Sequence, residues 1–151
     1  MNKQVRNTLI VAGALLLALV GAFVIISLLL VRLHNAAERA GNEAATIQNL
    51  KTISAVEAQY FSTHNRTFAT LDQLVREQML SSKFAKNPPV ADGYVLTLSL
   101  TPKPPGPASS YALRADPVDN STGHNHFYLD SSSNEIHVNA GRQAGPGDPP
   151  W

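Results

Sequence analysis

From Leu9 to Val31 almost every residue is Leu, Ile, Val, Ala or Phe, with only Gly13, Gly21 and Ser27 interrupting. The block is about 23 residues, or roughly 35 Å as a helix at ~1.5 Å per residue. That length crosses a hydrocarbon core of ~30 Å with some tilt. A cleavable signal peptide has a shorter apolar core, about 7–15 residues, ending at a small-residue site. Here Arg32-Leu33-His34 separates the block from Ala36-Ala37. The pattern therefore predicts an uncleaved transmembrane helix over 8–32, preceded by a short tail, residues 1–7. Lys3 and Arg6 on one side nearly balance Arg32 and Arg39 on the other, so charge counting leaves orientation open. Gly13 and Gly21 lack the spacing of a helix-dimer motif.

Beyond the membrane block the pattern changes period. Ile47, Leu50, Ile53, Val56 and Tyr60 recur at three- and four-residue steps, while Gln48, Asn49, Lys51, Thr52 and Gln59 fall mostly off that stripe. With no proline before Pro88, a single helix is expected from about Thr8 to Ser62. Thr63 to Thr67 breaks it. Thr70 and Gln73 then form a capping box opening a short helix, with Leu71, Leu74, Val75 and Met79 on one side. Asn87-Pro88-Pro89 closes that region.

The remainder alternates with a period of two. Tyr94, Leu96, Leu98 and Leu100 form one strand face; a Pro/Gly loop over Thr101 to Ser109 follows, and Tyr111, Leu113 and Ala115 begin a second strand, stopped by Pro117. His126 to Asp130 and Glu135 to Asn139 flank Ser131-Ser132-Ser133-Asn134, a four-residue hairpin loop. If Asp130 faces Glu135, then Phe127, Leu129, Ile136 and Val138 share a face toward the helix, and His126, Tyr128 and His137 face outward. The fold class expected is α+β: a long N-terminal helix, transmembrane in its lower half, packed on an antiparallel sheet of about four strands. Residues 33–140 form the head. After Gly141 no periodicity remains, so 141–151 reads as a disordered tail with Trp151 loose.

Composition narrows the chemistry. The chain of 151 residues has room for one domain plus an anchor. A net charge of +1 gives no case for nucleic acid, and the absence of cysteine excludes disulfides and thiol chemistry. Five histidines invite a metal reading: His124 and His126 form H-x-H, and His137 lies diagonally across the hairpin from His126. Asp116, Asp119 and Asn120, with Asp130, offer oxygen ligands for calcium. Exposed strand histidines and Asp-Pro or Asp-Asn-Ser turns account for both sets without a metal. No catalytic residue and no cofactor is expected: Ser131-Ser132-Ser133 lacks a nucleophile elbow, Glu57 and Glu77 lack an obvious partner, and no phosphate-binding glycine loop occurs. Tyr60-Phe61 reads as core and helix-end packing.

The order of these elements resembles the type IV pilin and pseudopilin architecture. Asn42-Glu43-Ala44-Ala45 through Leu50-Lys51-Thr52-Ile53 is similar to the N-E-A-x-x-I-x-x-L-[RK]-T-I helix segment of many bacterial pilin-like proteins. Glu57-Ala58-Gln59-Tyr60-Phe61 followed by Thr67-Phe68-Ala69-Thr70-Leu71 continues the likeness, as do Gly93-Tyr94, Tyr111 to Pro117, and Gly123 through Asp130 to Ile136. The N-terminus departs from the family. Thr8-Leu9-Ile10 echoes the middle of the prepilin F-T-L-I-E motif, but Arg6 stands in place of the cleavage glycine, Asn7 of the Phe and Val11 of the Glu; the first acidic residue is Glu38. In the family that carboxylate pairs with a neighbour's N-terminal amine, since a charge in lipid is tolerated only when paired. The resemblance thus implies an uncleaved, single-pass protein of the bacterial inner membrane, N-terminus cytoplasmic and head periplasmic. It would be a non-canonical structural component of a type IV pilus or type II secretion-like apparatus, with the bilayer and other pilin-like or secretion proteins as partners. The alternative is a membrane-tethered periplasmic binding module for a small ligand or metal.

Overall fold

The computed structural model describes residues 2–102 and 108–151. Helix α1 runs Lys3–Thr63, 61 residues, starting earlier than the apolar pattern alone indicates. The chain divides into two compact units, one ending at Ala37 and the other Glu38–Trp151.

The first unit is helix alone. Among its described side chains the apolar Leu17, Phe23 and Ile25 are exposed, and α1 is the helix among the described residues long and apolar enough to cross a membrane. The polar atom inside this stretch is taken care of locally: Ser27 Oγ donates to the Phe23 carbonyl at 2.9 Å. In lipid, where no water is at hand, that intrahelical bond removes most of the hydroxyl's cost.

In the second unit the stripe on α1 is buried as its spacing predicts: Ile47, Leu50, Ile53 and Tyr60 are core, with Val56 packed at the margin. Asn49, expected off the stripe, is buried instead. Its Nδ2 donates to Asp92 Oδ2 at 2.7 Å and its Oδ1 accepts from Lys83 Nζ at 2.8 Å, so both ends of the amide are satisfied. Asn65 and Arg66 end the helix with positive φ.

Helix α2, Leu71–Arg76, opens on the expected capping box: Gln73 N–H donates to Thr70 Oγ1 at 3.2 Å and Thr70 N–H to Gln73 Oε1 at 2.8 Å. Leu71 and Leu74 are buried, and Val75 and Met79 pack beside them. Thr70→Ala is expected to cost about 1 kcal/mol in denaturant unfolding, because an orphan N–H reappears at the helix start. A midpoint equal to wild type would show the cap to be dispensable.

Five strands form one antiparallel meander in sequence order: β1 Val90–Ala91, β2 Tyr94–Pro102, β3 Ala108–Pro117, β4 His126–Asp130 and β5 His137–Asn139. The additional strand beyond the four expected is β1, whose two residues are too few to show a period. Asp92 and Gly93, at φ 51° and 76°, turn it back onto β2 so that Ala91 pairs with Tyr94. The β4–β5 register pairs Phe127 with Val138 and Tyr128 with His137, the phase the alternation requires, but the pairing stops at His137, so β5 is shorter than the expected Glu135 to Asn139. Residues 103–107 of the Pro/Gly loop lie outside the described residues, and β2 and β3 take its flanks.

Two expectations are corrected. Tyr128 is on the outward face yet only 6% exposed: the Arg114 guanidinium lies 5.5 Å over its ring, and its hydroxyl donates to Asp130 Oδ2 at 3.0 Å. The stretch 141–151 is not a loose tail but an added edge. Val138 N–H donates to the Pro149 carbonyl at 2.9 Å, Trp151 N–H to the Ile136 carbonyl at 2.8 Å, and His137 bridges to Pro150. Asp148 organises it, accepting from Asn139 Nδ2 at 2.8 Å, Arg142 Nη2 at 2.7 Å and Gly145 N–H at 2.8 Å. One carboxylate collecting several donors orders a segment that has no hydrophobic period to reveal it.

Candidate functional site

Alongside α1, the second unit holds an open cleft of about 820 Å³. The exposed helix positions Lys51, Ala55 and Ala58 form one side, and the small alanines leave it hollow. Phe61 and Phe68 stack at 4.6 Å at one end, and Tyr111 meets Phe68 edge-on at 4.9 Å. Opposite, Trp151 packs edge-on against Phe127 at 5.3 Å, fixed by its backbone bond to Ile136 but with 59% of its surface exposed.

A short polar chain crosses the floor. Tyr111 Oη donates to Ser54 Oγ at 3.0 Å, and Ser54 Oγ donates to Asn134 Oδ1. Ser131 Oγ accepts the Tyr111 N–H at 3.1 Å. Strand β3, helix α1 and the β4–β5 loop are thereby tied together beneath the aromatic walls. Burial first, then the nearby Glu57 and Asp130 carboxylates, raise the Tyr111 phenol, offset in part by its bond to Ser54, so the hydroxyl stays a donor.

One helical step behind Ser54 sits Glu57, 0% exposed. Its Oε2 accepts the Ala69 N–H at 3.1 Å, and its Oε1 has no partner. Burial pushes its carboxyl up to about 7, against the lowering effect of the Ala69 bond. Glu77, without an obvious partner in the sequence, pairs with His64 Nε2 at 3.3 Å, and His64 stacks on Tyr60 at 3.8 Å. Tyr60 is packing, as expected; Phe61 is half-buried and belongs to the cleft.

The residues singled out for metal binding do not gather at one point. His126 Nδ1 donates to Asp116 Oδ1 at 2.6 Å, and Gln143 Nε2 to Asp116 Oδ2 at 2.8 Å. His137 Nδ1 donates to the Asp148 carbonyl at 2.7 Å, and the His124 N–H to Glu43 Oε1 at 2.9 Å. Asp119 Oδ1 closes its own turn, accepting from Ser121 N–H at 2.7 Å and Thr122 N–H at 3.1 Å, while the Asn120 carbonyl accepts from Arg39. Among the described residues no group of three or more His, Asp or Glu converges as a metal site would require. His126 and Asp116 meet; the proposed triads do not.

The cleft itself was missed in the sequence because its parts are individually ordinary: two alanines, a serine, an asparagine in a turn. The signal available was the pair of alanines at 55 and 58, flanking the stripe where larger side chains would have filled the space. Compared with known protein families, characterised proteins and solved structures, the chain finds no match. What fold and site define is an α+β protein with one helix of membrane-spanning length and an aromatic-walled cleft.

Proposed function

We propose that this is a membrane-anchored, pilin-like interaction protein, a non-canonical component of a pilus or type II secretion-like apparatus. The observation that carries the reading is α1 itself. One helix begins with exposed aliphatics and continues as a stripe, Ile47 to Tyr60, packed on an antiparallel meander, the element order that the resemblance implies. In this reading the N-terminus is cytoplasmic, the second unit lies in the periplasm, the anchor sits in the inner membrane, and other pilin-like or secretion proteins are the partners. Arg6 and Val11 stand where cleavage and subunit pairing need Gly and Glu, so the protein remains uncleaved.

Co-expression with prepilin peptidase is expected to leave its size unchanged. Photo-crosslinking from the exposed face of α1, in cells carrying such an apparatus, is expected to capture inner-membrane assembly proteins. A peptidase-dependent drop in size overturns the uncleaved form, and cross-links to lipid alone overturn the assembly role.

A further inference from the structure

We propose that the outer edge of β2 binds an extended segment of another protein, apolar at alternate positions, as an added antiparallel strand. Strand β1 covers only the start of that edge, pairing Ala91 with Tyr94. On the opposite side of β2, Val118 N–H donates to the Gly93 carbonyl at 2.9 Å. Alternation then turns the N–H and C=O of Val95, Thr97 and Ser99 toward β3, and those of Leu96, Leu98 and Leu100 outward. Leu96 N–H donates to the Pro89 carbonyl at 2.9 Å, but Pro89 has no N–H to offer the Leu96 carbonyl in return. Beyond it, Leu98 and Leu100 each present one donor and one acceptor that no strand among the described residues takes.

Open edges are ordinarily blunted by charged side chains, and Gly93 to Pro102 carries none. Protection stands only at the ends, in Pro89 and in Pro102 with the register shift beside it. Between them, Leu98 and Leu100 share a face with the buried Tyr94 and Leu96 but pack only at the core's margin. A hollow of about 320 Å³ lies against this edge, walled by Leu71, Pro88, Leu96 and Leu98. A residue paired with Leu98 puts its side chain on that same face, at the hollow. The alternating N–H and C=O row matches extended backbone, and the hollow selects an apolar side chain on it.

A second copy does not fit. Two β2 edges pair antiparallel about an axis normal to the sheet, and that rotation reverses the α1 stripe packed on the sheet. Two chains anchored in the same sense in one bilayer cannot meet so. This exclusion rests on the anchor; the open edge depends on neither the anchor nor the assembly reading, and each can fail without the other.

The probe is a capped peptide alternating threonine and leucine, with a dilysine tail, added to the full chain in zwitterionic lipid nanodiscs. Amide hydrogen exchange is expected to slow about tenfold at Leu98 and Leu100 and to stay unchanged at Thr97 and Ser99, already bonded to β3. In the added strand the leucine N–H groups face β2 and the threonine N–H groups face away. N-methylation of the leucines should therefore abolish the protection, and N-methylation of the threonines should leave it. Leu100→Pro removes an outward N–H without touching the β3 ladder and should weaken binding about tenfold; the methylated pair tests the same bonds in the unaltered chain. No protection, uniform slowing along β2, equal binding of the two methylated peptides, or indifference to Leu100→Pro would each overturn the assignment. Ser99→Cys, in a chain without cysteine, should stay monomeric under mild oxidation in vesicles. A disulfide-linked dimer abolished by Leu100→Pro would put a second copy on the edge and overturn the choice of partner.

Discussion

Raising the pH from about 4.5 to 8 is expected to destabilise the second unit by roughly 3 kcal/mol, and Glu57→Gln to remove most of that slope. The folded carboxyl titrates at about 7 against an ordinary 4.5, because it is buried with one oxygen unpartnered. Between those values the folded chain keeps a proton that the unfolded chain has released, so each step up in pH favours unfolding. The contribution is whole below about 4.5, is lost through the window to about 7, and is flat above it. Gln keeps an acceptor for the Ala69 N–H and carries no charge at any pH. The variant should therefore be more stable than wild type at pH 8 by roughly 2–3 kcal/mol.

Acidic groups elsewhere act in the opposite direction. Partial burial raises the Asp130 carboxyl, but bonds from the Ser132 hydroxyl, the Ser133 and Ser132 N–H groups and Tyr128 outweigh it and hold it at about 2. Its stabilisation is present above about pH 4 and fades as pH falls toward 2. Wild-type stability should thus peak near pH 4 to 5 and not at neutrality. Urea unfolding across pH 3–9 reads both limbs; a Glu57→Gln profile parallel to wild type would refute the assignment.

Gly123→Ala is expected to cost about 2–4 kcal/mol, a large loss for a single methyl group. A Cβ there falls onto the Tyr94 hydroxyl, with the ring carbon Cζ 2.7 Å away. Tyr94 cannot yield easily: its ring is fully buried against Phe127, and its hydroxyl donates to the Asn125 carbonyl at 2.9 Å. Overpacking and loss of a buried hydrogen bond act together. Tyr94→Phe alone should cost about 1 kcal/mol, and the double variant less than the sum, because the hydroxyl that meets the new methyl is gone. Strict additivity in denaturant midpoints would show that the two sites do not touch.

How far the chain was legible before folding differs from element to element. The stripe from Ile47 to Tyr60, the Thr70–Gln73 box and the phase of the β4–β5 pairing were readable because each is a local period or a local pairing of donor with acceptor. Strand β1 had a signal in Asp92-Gly93, but its two residues take their place only because β2 lies beside them. The segment 141–151 showed nothing, since its order comes from Asp148 gathering donors from Asn139, Arg142 and Gly145. Asn49 and Glu57 read as a surface residue and an unassigned one; their burial depends on which elements close over α1.

By itself, then, the amino-acid order determined an aliphatic helix of membrane-spanning length, an amphipathic continuation, and antiparallel strands with their faces assigned. Periodicity suffices for these, because it records which side of an element must leave water. Tertiary structure alone decided that two exposed alanines become the wall of a cleft, that Tyr111, Ser54 and Asn134 join across three elements, and that Glu57 loses its solvent. Such features arise from distances between segments far apart in the chain, and no local pattern of polar and apolar residues encodes a distance.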